Sequence, residues 1–230
     1  IRLASAITIA VSSNGTIFPD DDGYMRMATA FATGKTGTWE LTNTWGLWNI
    51  NASFLFPTGV LFYLFGFHPI LGQMLSVLAG TLTATAVAVL VRRHASATAA
   101  LFAGLAVAVF PSQILWSSLL LKDSFSWMAL SLMALALGGW GKTTIKKDFV
   151  SGFLLIACLS FFLAHLRVHT LTTVLIAAII TLIITAKSQR SAKVFLTLLL
   201  LAVLPLSVNA GLFSHNTFAS SSNLGSIRSN

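Results

Sequence analysis

The sequence predicts an all-α fold, a polytopic bundle of transmembrane helices with about seven spans plus extracytoplasmic juxtamembrane helices, and three observations predict it. Charged residues make up 9% of the chain, hydrophobic ones 56%, and the mean hydropathy is +0.84, whereas soluble domains carry roughly 25% charged residues. Such a chain cannot build a water-soluble surface. The basic residues fall in short groups between apolar runs, at Arg92-Arg93-His94, at Lys142, Lys146 and Lys147, and at Lys187, Arg190 and Lys193, which is the pattern of cytoplasmic loops. The net charge of +8 is therefore read as membrane topology and not as a nucleic-acid surface. Finally, of the 6 acidic residues, three stand together at Asp20-Asp21-Asp22, a cluster that must sit in water, bind a cation or do chemistry. Cys158, the single cysteine, lies in an apolar run and forms neither an intramolecular disulfide nor a metal cluster.

Leu3 to about Ile17 reads as a first span, short of the roughly 20 residues a crossing needs, with Arg2 as its inner flank. No basic leader precedes it, so a cleavable signal peptide is a poor reading, and a start at Ile1 with a Ser/Asn-rich end fits a trimmed or partial form of something longer. From Asp20 the spacing Tyr24, Met27, Ala28, Phe31 marks an amphipathic helix with the aspartates in its cap and first turn, where the helix dipole favours negative charge. One aspartate suffices for a cap, and three adjacent like charges repel.

Gly34 to Asn51 is a polar loop whose Trp39, Trp45 and Trp48 read first as interfacial anchors and second as sugar-stacking rings. The sequons Asn14-Gly15-Thr16 and Asn51-Ala52-Ser53 are weak signals of modification. Phe54–Phe67, interrupted by Pro57 and Gly59, is expected to be juxtamembrane or re-entrant. Spans follow over Ile70–Val91, Ala95–Phe110, Asp123–Gly141, Phe149–Ala164, Thr170–Ala186 and Val194–Phe213, with outer turns at Pro111–Lys122 and His165–His169. Residues 1–213 thus form the core, 18–51 the acidic outer loop, 54–67 the juxtamembrane segment and 214–230 an outer polar tail. On this topology inner Lys and Arg are residues 2, 92, 93, 142, 146, 147, 187, 190 and 193, nine against five outside at 26, 35, 122, 167 and 228. A full crossing at 54–67 would invert every later loop and turn the basic groups outward.

Three outer turns would then converge, bringing Asp20, Asp21 and Asp22, Lys122 and Asp123, and His165, Arg167 and His169 to one water–membrane surface. Acids and bases in that setting suit an anionic lipid head group beside a carboxylate that deprotonates an acceptor or binds a divalent metal such as magnesium or manganese, with Asp20 and Asp123 as its ligands. Each group also has a plainer role: helix cap, neighbouring charge pair, snorkelling arginine or interfacial histidine.

Pro19-Asp20-Asp21-x-x-Tyr24-x-x-x-Ala28, followed by Gly34 and Trp39, resembles the first outer loop of the C-type, polyprenyl-phosphate-sugar-dependent glycosyltransferases, notably the bacterial relatives of protein mannosyltransferases and the aminoarabinose lipid A transferases. Phe54-Leu55-Phe56-Pro57, Phe65-Gly66-Phe67-His68-Pro69 and Arg92-Arg93 resemble their juxtamembrane helix and second span, and Phe110-Pro111-Ser112, Trp116-Ser117 and Leu121-Lys122-Asp123 their turn with a second acid. The resemblance covers Leu3 to about Ala186. It implies inversion at the anomeric carbon of a sugar on a polyprenyl phosphate, at the outer face of a bacterial inner membrane. Asp20 and Asp21 match the acidic pair, with Asp20 as the base; Asp123 matches the second acid, a metal ligand or orienting group; Lys122 and Arg167, with His165 and His169, would hold the lipid phosphate. Asp22 is additional to the pattern. Family members usually carry more spans and often a soluble outer domain, which fits a second reading, a non-catalytic subunit among other membrane proteins. A transporter is the weaker reading, since ionisable residues near mid-span are not expected here.

Overall fold

The computed structural model describes residues 1–34, 54–140 and 146–167, together with 170, 171, 173, 174 and 177. The predicted loop at 34–51 beyond Gly34, the spans at 170–186 and 194–213 for the most part, and the polar tail lie outside the described residues. Those described are helical and contain no strand: α1 Arg2–Ser12, α2 Pro19–Ala32, α3 Phe54–Phe65, α4 Pro69–His94, α5 Ala97–Val109, α6 Pro111–Ser117, α7 Lys122–Trp140 and α8 Lys146–Leu166. The chain divides into two compact units, Ile1–Phe162 and Leu163–Asn230.

The hub of the first unit is α4, on which α1, α5, α6 and α7 all pack. Its 26 residues run unbroken and end in Arg92, Arg93 and His94, at the terminus where cations suit the helix dipole. Its buried stripe is Gly72, Gln73, Ser76, Ala79, Gly80, Thr83 and Ala86, at three- and four-residue spacing, whereas Met74, Leu78, Leu82 and Val89 are exposed. Small and polar residues face the neighbours and large apolar ones face outward, the reverse of a helix in water and the arrangement that lets helices approach closely in lipid.

Among the described residues α4 is the one helix long and apolar enough to cross a membrane, and a second is added if α5 and α6, bent by 58° at Phe110, count as one broken span. Seven spans are therefore not what the described residues display. Of the expected first span the described residues form an α1 of 11 residues, which ends where Asn14 and Gly15 turn the chain with φ of 52° and 87°. A side chain at Gly15 would also collide with Pro69, so the turn closes tightly against the start of α4. Helix α3 runs through Pro57 and Gly59 without the expected interruption. The expected outer turn at Pro111–Lys122 is half helix, α6, followed by a fully buried Leu119-Leu120-Leu121 connection.

Arg2 is not a flank. It is buried, 7% exposed, at mid-length of α4, where a side chain on Gly80 would strike both its guanidinium and Ser117. The guanidinium donates to the Val107 carbonyl at 2.8 Å, the Gln113 carbonyl at 3.1 Å and Ser117 Oγ at 2.6 Å. The reason is local chemistry. Pro111 lacks the N–H that would bond the carbonyl four residues before it, so the broken helix leaves Val107 without its partner and Arg2 supplies the donor. Ser118 Oγ, in turn, donates to the Arg2 carbonyl at 3.2 Å.

Candidate functional site

Helix α2 begins where the sequence places it, with Pro19 as its first residue and Asp20, Asp21 and Asp22 in its first turn. The three carboxylates then take different environments. Asp21 is fully buried, and its two oxygens accept the backbone N–H groups of Ile17 and Phe18, each at 3.0 Å, so that it folds the preceding residues back onto the helix end. Burial pushes its carboxyl above the usual range against the lowering pull of those N–H donors and that of Asp22, while the Asp22 charge adds to the rise. Asp22 pairs with Arg26 one turn on at 2.6 Å. Asp20 is exposed.

Two of the three predicted turns meet. Phe18 stacks on Trp116 of α6 with ring centres 5.7 Å apart and planes at 17°. The Trp116 carbonyl accepts the Ser124 hydroxyl at 3.0 Å, which ties this stack to the turn of Lys122 and Asp123. A second bridge runs from Tyr24 edge-on to the buried Phe54 at 5.0 Å, and from Phe54 to Phe125 of α7 at 5.5 Å. Aromatic residues thus weld the acidic turn to the first turn of α7, each pair adding roughly 0.5–1.5 kcal/mol beyond its buried area. Lys122 and Asp123 are both half-buried there.

The third turn belongs to the second unit. Arg167 is exposed and immediately follows α8, its N–H bonding the Leu163 carbonyl at 2.7 Å. His165 falls within α8 instead of in a turn, because that helix extends to Leu166; His169 lies outside the described residues. Among the described residues no group of three or more His, Cys, Asp or Glu is placed to hold a metal ion.

Beside the acidic turn lies a cleft of about 690 Å³, bounded by the end of α1, the 13–16 turn, one face of α2 and the start of α4. Its polar lining is Ser13, Asn14, Thr16, Asp22, Arg26, Thr29 and Thr33, with Phe67 at one side. Of the predicted site residues none but the additional Asp22 lines it. Asp22, Arg26, Thr29 and Thr33 recur at helical spacing, a polar stripe on α2 opposite the Tyr24, Met27, Ala28 face. That spacing was the available signal, and the concentration of acidic charge upstream obscures it. No family model, no curated protein and no solved structure matches the chain, so the likeness to the C-type transferases rests on the short motifs alone.

Proposed function

We propose that this chain is a multi-pass integral membrane protein with a glycosyltransferase-like site at its extracytoplasmic surface, moving a sugar from a polyprenyl-phosphate donor to an acceptor with inversion. The observation that carries the reading is the aromatic weld between the two motif-bearing turns, Phe18 on Trp116 and Phe54 between Tyr24 and Phe125. Support for the bilayer comes from α4, whose outward face is Met, Leu and Val and whose inward face is Gly, Ala, Ser and Thr; in lipid this costs nothing, and in water it would leave a large apolar surface bare. Spans beyond α4 and the bent α5–α6 pair, up to about seven, belong to this proposal.

In the reaction the acceptor's nucleophile attacks the anomeric carbon, its proton passes to a carboxylate, and the polyprenyl phosphate departs with the electron pair of the broken C–O bond. Asp20 is assigned the proton, since Asp21 is engaged in capping and Asp22 with Arg26. Lys122, at the welded turn, steadies the phosphate. A magnesium or manganese ion on Asp20 and Asp123 would have two carboxylates and no third described ligand, which does not make a metal site of the usual kind, so no step is routed through one. Replacing Asp20 with Asn is expected to lower transfer from a polyprenyl-phosphate sugar at least about 100-fold with expression unchanged. Full activity in that variant would remove the base.

The engagement of Asp21 and Asp22 in structure favours one other reading, a non-catalytic membrane subunit of a larger complex. Copurification with other membrane proteins in fixed stoichiometry, without binding of the donor, would decide for it.

A further inference from the structure

The turn between α1 and α2 is built on the one Asn–Gly pair in the chain, Asn14-Gly15. Both residues stand at positive φ, 52° and 87°, and a side chain at Gly15 would run into Pro69, so glycine is the residue this position requires. Asn14 is exposed and lines the cleft beside α2. An asparagine followed by glycine is the pair most prone to imide formation, because no neighbouring side chain shields the backbone nitrogen that attacks. Three bonds hold the turn closed against that reaction. The Gly15 N–H donates to the Ile9 carbonyl and the Thr16 N–H to that of Ser13, both at 3.2 Å, the long end of the range, and Gln73 Nε2 donates to the Gly15 carbonyl at 2.9 Å. Gln73 is fully buried and its Oε1 has no hydrogen-bond partner among the described residues, so its amide is committed to this one bond.

We infer that Asn14–Gly15 is a self-modification site, a deamidation centre whose rate is set by the Gln73 clamp. In the reaction the Gly15 nitrogen forms a bond to Asn14 Cγ, the nitrogen's proton and the side-chain NH2 leave together as ammonia, and a cyclic imide remains. One water then opens the ring at either carbonyl, giving aspartate or isoaspartate at position 14. No electrons are exchanged, and solvent at the exposed side chain supplies the water. The closed turn resists the first step, since the Gly15 N–H is engaged with Ile9 and its nitrogen must swing to Cγ, which breaks the turn. Deamidation therefore runs through a local opening, and its rate measures how often Gln73 lets go. The change is one-way. The charged side chains lining the cleft are Asp22 and Arg26, which balance, and a carboxylate at position 14 leaves the lining net negative. In the isoaspartyl form the backbone also gains a methylene, for which the close contact of Gly15 with Pro69 leaves no room. The inference is independent of the transferase reading.

The test follows the full chain in detergent micelles, held warm at neutral and at mildly alkaline pH. Peptide mapping by mass spectrometry reads the exchange of NH2 for OH in the fragment Leu3–Arg26, whose one asparagine is Asn14, and electron-based fragmentation separates aspartate from isoaspartate. Both products are expected at position 14, faster at alkaline pH, which ionises the attacking nitrogen, and faster again in denaturant. Q73L, which removes the clamp's donor, speeds the folded-state reaction about two- to tenfold, the share of one hydrogen bond in the opening equilibrium. Q113L, at a glutamine of α6 whose Oε1 likewise has no partner among the described residues, leaves the rate unchanged. An Asn14 that stays intact in the folded chain, equal rates in folded and denatured chains, indifference to Q73L, or an equal acceleration by Q113L would overturn the assignment. Where Q73L does not fold, hydrogen exchange on the wild-type chain decides. The opening factor of the Gly15 N–H is expected to match the ratio of denatured to folded deamidation rates within about tenfold, and a wider gap overturns the clamp.

Discussion

At the start of α1 a lone guanidinium is buried among carbonyls, and just beyond its end three carboxylates stand in a row; the two regions handle charge in opposite ways. Arg2 has no carboxylate partner among the described residues and is held by the Val107 and Gln113 carbonyls and by Ser117. Its charge is neutralised by aligned dipoles at a helix break. The acidic turn divides its three charges among separate tasks: Asp21 buried as a cap, Asp22 in a surface ion pair, Asp20 exposed. A single charge with three bonds is a fixture of the fold, while three charges with divided duties leave one available for chemistry.

That contrast fails first if Arg2 proves dispensable. Arg2→Ala should destabilise the chain by about 3–5 kcal/mol, because two carbonyls and a hydroxyl lose a charged donor in a buried place, measurable by denaturant titration in mixed micelles. Arg2→Lys should recover little, since a point charge cannot span the three acceptors. The comparison is sharpened by Pro111→Ala, which returns an N–H to the position that Val107 lacks. In the double variant with Arg2→Ala, about 1–2 kcal/mol of the loss should come back, and spin labels on α5 and α6 should report a smaller bend than 58°. No recovery would mean that Arg2 does not replace the missing proline N–H.

On the acidic side, Asp21→Asn should cost about 1 kcal/mol, as one of two backbone donors loses its acceptor. Its pH signature has a defined sign. Burial holds the folded carboxyl above its ordinary value, so the folded chain binds more protons than the unfolded one between the ordinary and the raised value, and stability falls as pH climbs through that window. Asp21→Asn should flatten that slope in a titration of stability against pH. The smallest effect is reserved for Arg26→Gln, expected within about 0.5 kcal/mol, because the Asp22–Arg26 pair is 40% and 65% exposed.

Much of the helix layout was legible because it follows from local rules. The cap-and-dipole pattern of Pro19 and the aspartates gives α2, and the 22 apolar residues ending at Arg92-Arg93 give α4 to within a few positions. The meeting of the acidic turn with the Lys122-Asp123 turn was also expected, although the aromatic pairs that join them were not visible, since ring contacts between residues 18 and 116 leave no trace in spacing. The burial of Arg2 was misread for a different reason. A basic residue before an apolar run signals a flank by frequency, and its true partner is set by Pro111 far along the chain, a relation that sequence order does not encode.

The Arg2 contact also sets an order of events during synthesis. Donor and acceptor are 105 positions apart, so the guanidinium exists long before the carbonyl that will hold it. Until α1 docks, the carbonyl that Pro111 leaves without an N–H lacks the donor that Arg2 supplies in the folded chain. Capping of the bend therefore waits for α1 to dock after α5 and α6 have been made, and a tether that holds α1 away from them would leave the Val107 carbonyl without its donor.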